Sequence, residues 1–287
     1  MVDWPFSKEQ IDRLRHVTYR EFLIEKRLGG KRAIYAPPKE LKIVQKFILK
    51  EFLERLPVHK CAHGFVKGKS IVTNAEQHVG ADILVNLDIK DFYPSFTKQM
   101  VRDFFAQHSF FGVDELTDLC TYKGTLPQGA VTSPQLANLI FAPIDAKLYA
   151  LADEFGFTYT RYADDMTFSA GSFYNVEKEM LDRVVYVLDE HNFVLQEEKT
   201  YIAKTTDRMV VTGLLINPAE EDDLPVVRAR REQWRALRAG VHDWFADTPK
   251  MSWHQLRSMC AYLSMTDPAK VEPYVKRLET VPKEERS

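Results

Sequence analysis

Two runs of strand-forming residues in this chain end on acids. In ADILVNLDIKDFYPSF a mainly apolar stretch closes on Asp88, and in FTYTRYADDMTFSA the adjacent carboxylates Asp164 and Asp165 interrupt a run rich in Tyr, Thr and Phe. The first reads as a buried strand and the second as a hairpin, because aromatic and β-branched residues suit a pleated, half-buried surface. This pair constrains the fold more than any other feature. If the strands are neighbours, three carboxylates converge at one sheet edge, where like charges are intolerable without cations. The other reading is a solvated hairpin tip, since many surface turns contain Asp-Asp and a YxDD string is weak by itself.

The remaining pattern alternates helices and strands. KEQIDRLRHVTYREFLIEKR, residues 8–27, predicts a helix, GGKRAIYAPP a Gly-led turn into a short strand, and KELKIVQKFILKEFLERL a second helix. Farther on, Ser133 is predicted as an N-cap and Pro134 as the first helical position. Leu136, Ile140, Ile144, Leu148 and Leu151 follow at helical spacing, with Pro143 as the site of a kink. A helix at about 175–191, a short strand around FVLQ and a hairpin through RMVVTGLLIN come next. Together these predict a mixed α+β sheet followed by a helical tail.

Composition sets outer bounds. A chain of 287 residues can bury a sizeable core in two or three lobes, and 45% hydrophobic with 28% charged residues is ordinary for a soluble protein. No apolar run is long enough to cross a bilayer, and MVDWPFSKEQ lacks the regions of a signal peptide, so a cytoplasmic protein without membrane association is expected. Cys61, Cys120 and Cys260 are far apart, which predicts reduced, mostly buried thiols. His59, Cys61 and His63 in HKCAH lack a fourth ligand nearby.

The net charge of -2 conceals a strong asymmetry. Residues 1–70 carry a balance of +8, residues 71–225 of -14, and residues 226–287 of +4. Basic ends flanking an acidic middle suit a protein that grips a phosphate backbone while its centre holds metal ions; solvated surfaces of uneven sign would look the same. Mg²⁺ is the natural counter-ion for Asp88, Asp164 and Asp165, because it takes hard oxygen ligands and is commonly shared between carboxylates and phosphates. A pair of such ions serves in-line phosphoryl transfer.

VNLDIKDFYPSF, LPQGAVTSPQLANLIF, YTRYADDMTF, LQEEKT and VTGLLIN occur in this order, and together they resemble the successive palm motifs of reverse transcriptases. NAEQH at 74–78, the HGFVKGKSIVTNA leading into it, and VTG at 211–213 are similar to signatures of bacterial retron reverse transcriptases. The resemblance covers about residues 20–280. It implies a right-hand polymerase with a mixed-sheet palm, helical fingers and a helical thumb: fingers and the NAxxH region in 1–80, palm in 81–225, thumb in 226–287.

The resemblance also implies roles. Asp88 and Asp164 would be the principal ligands of two Mg²⁺ ions and Asp165 a weaker one, with Ala163 small enough to admit the primer end. Tyr93 would lie under the incoming sugar and exclude a 2′-hydroxyl. Gln128 and Gly129 match a PQG loop at the nucleotide or template, where Val131 replaces the usual Pro and lowers the expected rigidity. Lys31 and Arg32 would meet the triphosphate, and Lys199 would assist the leaving pyrophosphate. Asp91 is left outside the metal site, as an ion-pair partner or helix cap. Asn74 and His78 of NAEQH would bind RNA. In RARREQWRALRAGVHDWF, Trp234, Leu237, Val241 and Phe245 recur as a core stripe, and Arg228, Arg231, Arg235 and Arg238 form a rail on another face. Such a rail suits a thumb along a nucleic-acid backbone.

The activity so implied is RNA-templated addition of deoxynucleoside triphosphates. The template would be a cognate structured non-coding RNA, and its DNA copy would be branched and serve antiviral defence. A group II intron-like or other defence reverse transcriptase is an alternative. A different class is an RNA-binding scaffold that restrains a toxic effector protein.

Overall fold

A computed structural model describes residues 4–25, 29–108, 112–171, 177–217 and 226–282. The elements, labelled in chain order, begin with α1 (Lys8–Leu14), β1 (Arg20–Glu25), β2 (Lys31–Ala36), α2 (Lys39–Glu51) and α3 (Ile71–Glu76). Next come β3 (Ile83–Asp88), α4 (Phe92–Ser95), α5 (Lys98–Gln107), α6 (Val113–Cys120), α7 (Ser133–Glu154), β4 (Thr158–Tyr162), β5 (Asp165–Ala170) and α8 (Glu177–Asp189). The last are β6 (Tyr201–Lys204), β7 (Val210–Val211), β8 (Leu214–Leu215), α9 (Arg231–Phe245), α10 (Trp253–Ser264) and α11 (Pro268–Glu279). The four-stranded sheet has the order β4-β5-β3-β6, so the two acid-bearing strands β3 and β5 are neighbours, as expected.

The chain forms two compact units. One comprises the described residues of Met1–Gly68, Leu87–Met166 and Tyr174–Thr200; the other those of Lys69–Asn86, Thr167–Phe173 and Tyr201–Ser287. These do not follow the sequence boundaries at 80 and 225, the second of which borders residues outside those described. Residues 69–80 belong with the C-terminal helices, because α3 packs on β7 and β8.

In the first unit an aromatic cluster lies behind the site. Phe96 meets Phe92 at 5.0 Å and Phe193 at 5.1 Å, and Phe141 meets Phe193 at 5.0 Å. Edge-to-face packing at such distances adds to the burial of the rings themselves. Helix α7 runs through Pro143 without interruption and buries Leu136, Ile144, Leu148 and Leu151. Thr132, not Ser133, is its N-cap; the Ser133 hydroxyl instead donates to the Pro127 carbonyl at 2.8 Å and ties the preceding loop to the helix.

The reading of residues 8–27 as one helix is corrected. Helix α1 ends at Leu14, and Arg20 to Glu25 pair antiparallel with Lys31 to Ala36, in register from Arg20 opposite Ala36 to Glu25 opposite Lys31. Residues 26–28 lie outside those described. Tertiary contacts override the helical pattern: Tyr19 stacks on Tyr122 at 4.3 Å and takes a hydrogen bond from the buried Gln45 amide. The strand expected around FVLQ reduces to one bridge, Leu195 to Ile89.

In the second unit Leu237 and Val241 of α9, Leu256, Cys260 and Leu263 of α10, and Val271 and Leu278 of α11 share a core with Met209, Val211, Leu214 and Ile216. Cys61, Cys120 and Cys260 are buried and form no disulfide among the described residues. Among the described residues no helix is long and apolar enough to cross a membrane.

Candidate active site

Asp88 is the last residue of β3, whose side chains are buried almost throughout, so the sheet carries the acid to its own edge. On one side the Ile89 amide donates to the Asp164 carbonyl at 3.0 Å, locking the end of β3 to the turn between β4 and β5. On the other, the Gln196 amide donates to the Asp88 carbonyl at 2.7 Å and the Lys90 amide to Val194 at 2.8 Å. The chain then makes a 3₁₀ turn, Glu197–Lys199, that brings the Lys199 ammonium back to both Asp88 oxygens at 2.8 Å. Lys199, expected at a pyrophosphate, is here the counter-ion of the Asp88 carboxylate.

The three acids feel one another. Burial pushes the Asp164 carboxyl up, and the charge of Asp88 adds to it, with Lys199 and Arg32 opposing. Asp165 is raised as well, first by desolvation, then by the charges of Asp164 and Asp88 and by a hydrogen bond shared with Asp88. Asp165 is exposed on the turn, so solvent moderates that shift without reversing it. A carboxyl that resists ionisation through desolvation and neighbouring carboxylates is short of positive charge. Among the described residues no three His, Cys, Asp or Glu side chains stand in a ligating arrangement, and Lys199 holds both Asp88 oxygens. The donors are hard oxygens and the deficit is positive charge, which fits Mg²⁺. In HKCAH, His59 Nδ1 lies 3.0 Å from Cys61 Sγ, and His63 is buried.

Tyr93 is half-buried beside the site. Its phenol is raised by burial and then by Asp164, while Arg161 and Arg32 pull it down, which ties Arg32 to the same electrostatic neighbourhood. Phe92 and Phe96 enter the core, whereas Tyr93 is only partly buried. Asp91 holds the N-cap position of α4 with φ of 47°, yet its side chain makes no capping bond; its carbonyl instead accepts from the Ser95 amide at 2.9 Å.

The PQG loop is pinned to β2. The Tyr35 amide donates to the Gln128 carbonyl at 2.8 Å, and Gly129, at φ of 119°, lies so close that a Cβ would stand 2.8 Å from the Tyr35 carbonyl oxygen. Only glycine fits there. Val131 does not loosen the loop: its amide, which proline would lack, donates to the buried Gln45 carboxamide at 3.3 Å. Lys31 and Arg32 are exposed on β2.

In the second unit the two retron-like signatures meet. The Thr212 hydroxyl of VTG donates to the Ile71 carbonyl at 2.9 Å, at the start of α3. Asn74 and His78 are both buried, with His78 Nδ1 2.7 Å from the Ser169 hydroxyl. Neither presents exposed surface here, and the Asn74 side-chain amide is buried without a hydrogen-bond partner. Arg228 also leaves its expected place: α9 starts at Arg231, and the Arg228 guanidinium donates to the Asn217 carbonyl at 2.6 Å. Arg231, Arg235 and Arg238 remain, all exposed, at positions i, i+4 and i+7 of one helix. Leu237 and Val241 are buried as expected, Trp234 partly, and Phe245 is 40% exposed.

Sequence reasoning missed Arg161 and Asp145, both fully buried and paired at 2.7 Å. The available signal was a lone arginine in a strand otherwise made of threonines and tyrosines.

Residues 24–216 match the profile of the reverse transcriptase (RNA-dependent DNA polymerase) family. The chain is 37% identical to the retron Mx162 reverse transcriptase of Myxococcus xanthus, over 96% of this chain and 63% of that protein. It is 37% identical to the retron Ec86 reverse transcriptase of Escherichia coli, over 79% of this chain and 70% of that protein. It therefore spans somewhat under two thirds of the Mx162 protein. A telomerase from Candida albicans, solved in complex with a TWJ fragment of telomeric RNA, has a TM-score of 0.51 at 9% identity, covering 92% of this chain and 56% of that one. That likeness concerns the fold alone. Identity above one third along nearly the whole chain is a closer relationship than a common fold, and the chain belongs to the reverse transcriptase family, among the retron reverse transcriptases.

Proposed function

We propose that this chain is an RNA-directed DNA polymerase that copies a structured non-coding RNA into DNA. The observation that carries this reading is the placement of Asp88, Asp164 and Asp165 at the ends of neighbouring strands, where the charge of Asp88 acts on Asp164 and the charges of Asp88 and Asp164 act on Asp165. These three residues would hold two Mg²⁺ ions, which supply Lewis-acid stabilisation of charge developing on the phosphoryl oxygens. Lys199 keeps Asp88 aimed into the site. Arg32 offers a planar fork to triphosphate oxygens, and Lys31 a second cation. Tyr93 walls the position of the sugar, and the backbone at Gly129 can approach a nucleotide or template closely.

In this reading residues 1–80, 81–225 and 226–287 serve as fingers, palm and thumb, and Arg231, Arg235 and Arg238 bind RNA phosphates. Priming from a 2′-hydroxyl of the template RNA gives a branched RNA–DNA product. Antiviral defence, a restrained effector protein and a cytoplasmic location complete the proposal. The test is incubation of the purified protein with the non-coding RNA encoded beside it, labelled deoxynucleotides and Mg²⁺. DNA that remains attached to RNA through a debranching-sensitive linkage is expected. Absence of incorporation on that RNA and on any primed RNA template would overturn the reading.

A further inference from the structure

The turn that bears Asp164 and Asp165 is held from beneath by residues outside the metal site. Arg161 is fully buried, and so is its partner Asp145. Its Nε donates to Asp145 Oδ1 at 2.9 Å, one terminal nitrogen to Oδ2 at 2.7 Å, and the other to the Ala163 carbonyl at 3.0 Å. The Tyr159 hydroxyl donates to Asp145 Oδ1 at 3.0 Å, and the guanidinium lies over the Phe141 ring at 4.7 Å. From the other side the Asn138 amide donates to the Gly64 carbonyl at 2.8 Å. Gly64 is pressed so tightly on the turn that a Cβ would lie 2.6 Å from the Ala163 nitrogen. Ala163 itself has φ of 57°, a conformation that residues other than glycine seldom adopt and that persists only where its surroundings enforce it.

A fully buried ion pair is weak evidence for stability, because desolvation offsets the attraction and apolar residues of similar volume often do as well. What apolar residues cannot supply is a directed bond to the Ala163 carbonyl. We infer that Arg161, oriented by Asp145, and Asn138, acting through Gly64, are positioning residues that fix the turn and thereby aim Asp164 and Asp165. This rests on the reading of those two acids as metal-holding carboxylates.

The experiment separates the two ideas. The full chain is made as Arg161→Lys, Tyr159→Phe, Ala163→Gly, Arg161→Lys with Ala163→Gly, Asn138→Ala and Asp164→Asn. For each, melting temperature, kcat and KM on a primed template, and Mn²⁺ affinity from the EPR signal of the free ion are measured. Lysine keeps a charge opposite Asp145, but its point-like ammonium cannot span Asp145 and the Ala163 carbonyl as the fork does. Arg161→Lys is expected to lower kcat about 100-fold with KM unchanged, the scale of an ångström-sized misplacement. Its Mn²⁺ affinity should fall about tenfold, as for supports of metal ligands elsewhere. Tyr159→Phe should lower the melting temperature while leaving kcat and Mn²⁺ affinity alone. Adding Ala163→Gly to Arg161→Lys should recover about tenfold in kcat, since glycine takes the left-handed conformation without the arginine's help.

Wild-type kcat and Mn²⁺ affinity in Arg161→Lys would overturn the inference. So would losses in Arg161→Lys and Tyr159→Phe that simply track melting temperature, without rescue by glycine. If Arg161→Lys does not fold, Asn138→Ala carries the test, because it leaves the ion pair whole and loosens the loop seated on the same turn; unchanged kcat and Mn²⁺ affinity there would overturn it equally. Asp164→Asn distinguishes the failures. Retained synthesis and Mn²⁺ binding in that variant would defeat the reading of the carboxylates, whereas their loss beside a wild-type-like Arg161→Lys would defeat only the positioning role.

Discussion

The acid-bearing turn and the arginine-bearing helix α9 use charge in opposite ways. At the turn, carboxylates are crowded together, partly desolvated and fixed by backbone bonds such as Ile89 to Asp164. On α9 the charges of Arg231, Arg235 and Arg238 stand in water a turn apart along a helix whose opposite face, Leu237 and Val241, is buried. The first arrangement keeps charges where small displacements matter, as chemistry requires. The second makes a diffuse field that, on the proposed reading, would bind a phosphate chain through counterion release and tolerate side-chain motion. Geometry should therefore govern one region and ionic strength the other.

The largest expected effect comes from breaking the first region. Asp88→Asn or Asp164→Asn removes a charge that, on the proposed reading, would hold metal, with little change of volume. DNA synthesis in Mg²⁺ should fall by about three orders of magnitude, the scale of losing several kcal/mol of charge stabilisation. Circular dichroism should show an intact fold, and near wild-type extension by either variant would end the assignment. Next in size is Tyr93→Ala, which would remove the proposed wall beside the sugar. Competition between deoxy- and ribonucleotides should show discrimination reduced by about 100-fold, as expected when a pocket loses the group that rejects a hydroxyl-bearing substrate. Unchanged discrimination would make Tyr93 a packing residue only.

The helix is tested by salt. Arg231→Gln, Arg235→Gln and Arg238→Gln together should weaken RNA binding and flatten the dependence of log K on log salt by about two, if three phosphate contacts are lost. A primed template at low salt and high concentration should still be extended. The smallest effect sharpens the contrast: Arg228→Gln should leave the salt slope alone and shift the urea midpoint by the equivalent of about 1 kcal/mol, because its guanidinium bonds the Asn217 carbonyl. A slope change in Arg228→Gln equal to that of the exposed arginines would return it to the rail.

How far each region could be read in advance follows from the same physics. The acids were legible because local sequence carried them: a strand run ending on Asp88 and a hairpin signal around Asp164 and Asp165 need no knowledge of distant residues. The neighbouring placement of β3 and β5 was a conditional expectation that the sheet order met. Arg228 was misplaced because helical spacing was extended back through residues that the fold uses as an extended bridge to Leu215. Asn74 and His78 were recognised as a signature, but a motif does not announce whether its side chains face water or core.

By itself the sequence determined which segments prefer strand or helix, where the carboxylates cluster, and the family to which the ordered motifs point. These are properties of periodicity, residue chemistry and order along the chain. Tertiary structure alone decided that residues 20–25 pair with β2 and do not extend α1, that Lys199 closes on Asp88 across more than a hundred residues, and that Arg161 meets Asp145 beside the turn that bears Asp164 and Asp165. Each of those outcomes depends on a partner distant in sequence. Which of several locally acceptable states wins is settled by the burial and hydrogen bonding that such partners provide, and no local pattern encodes them.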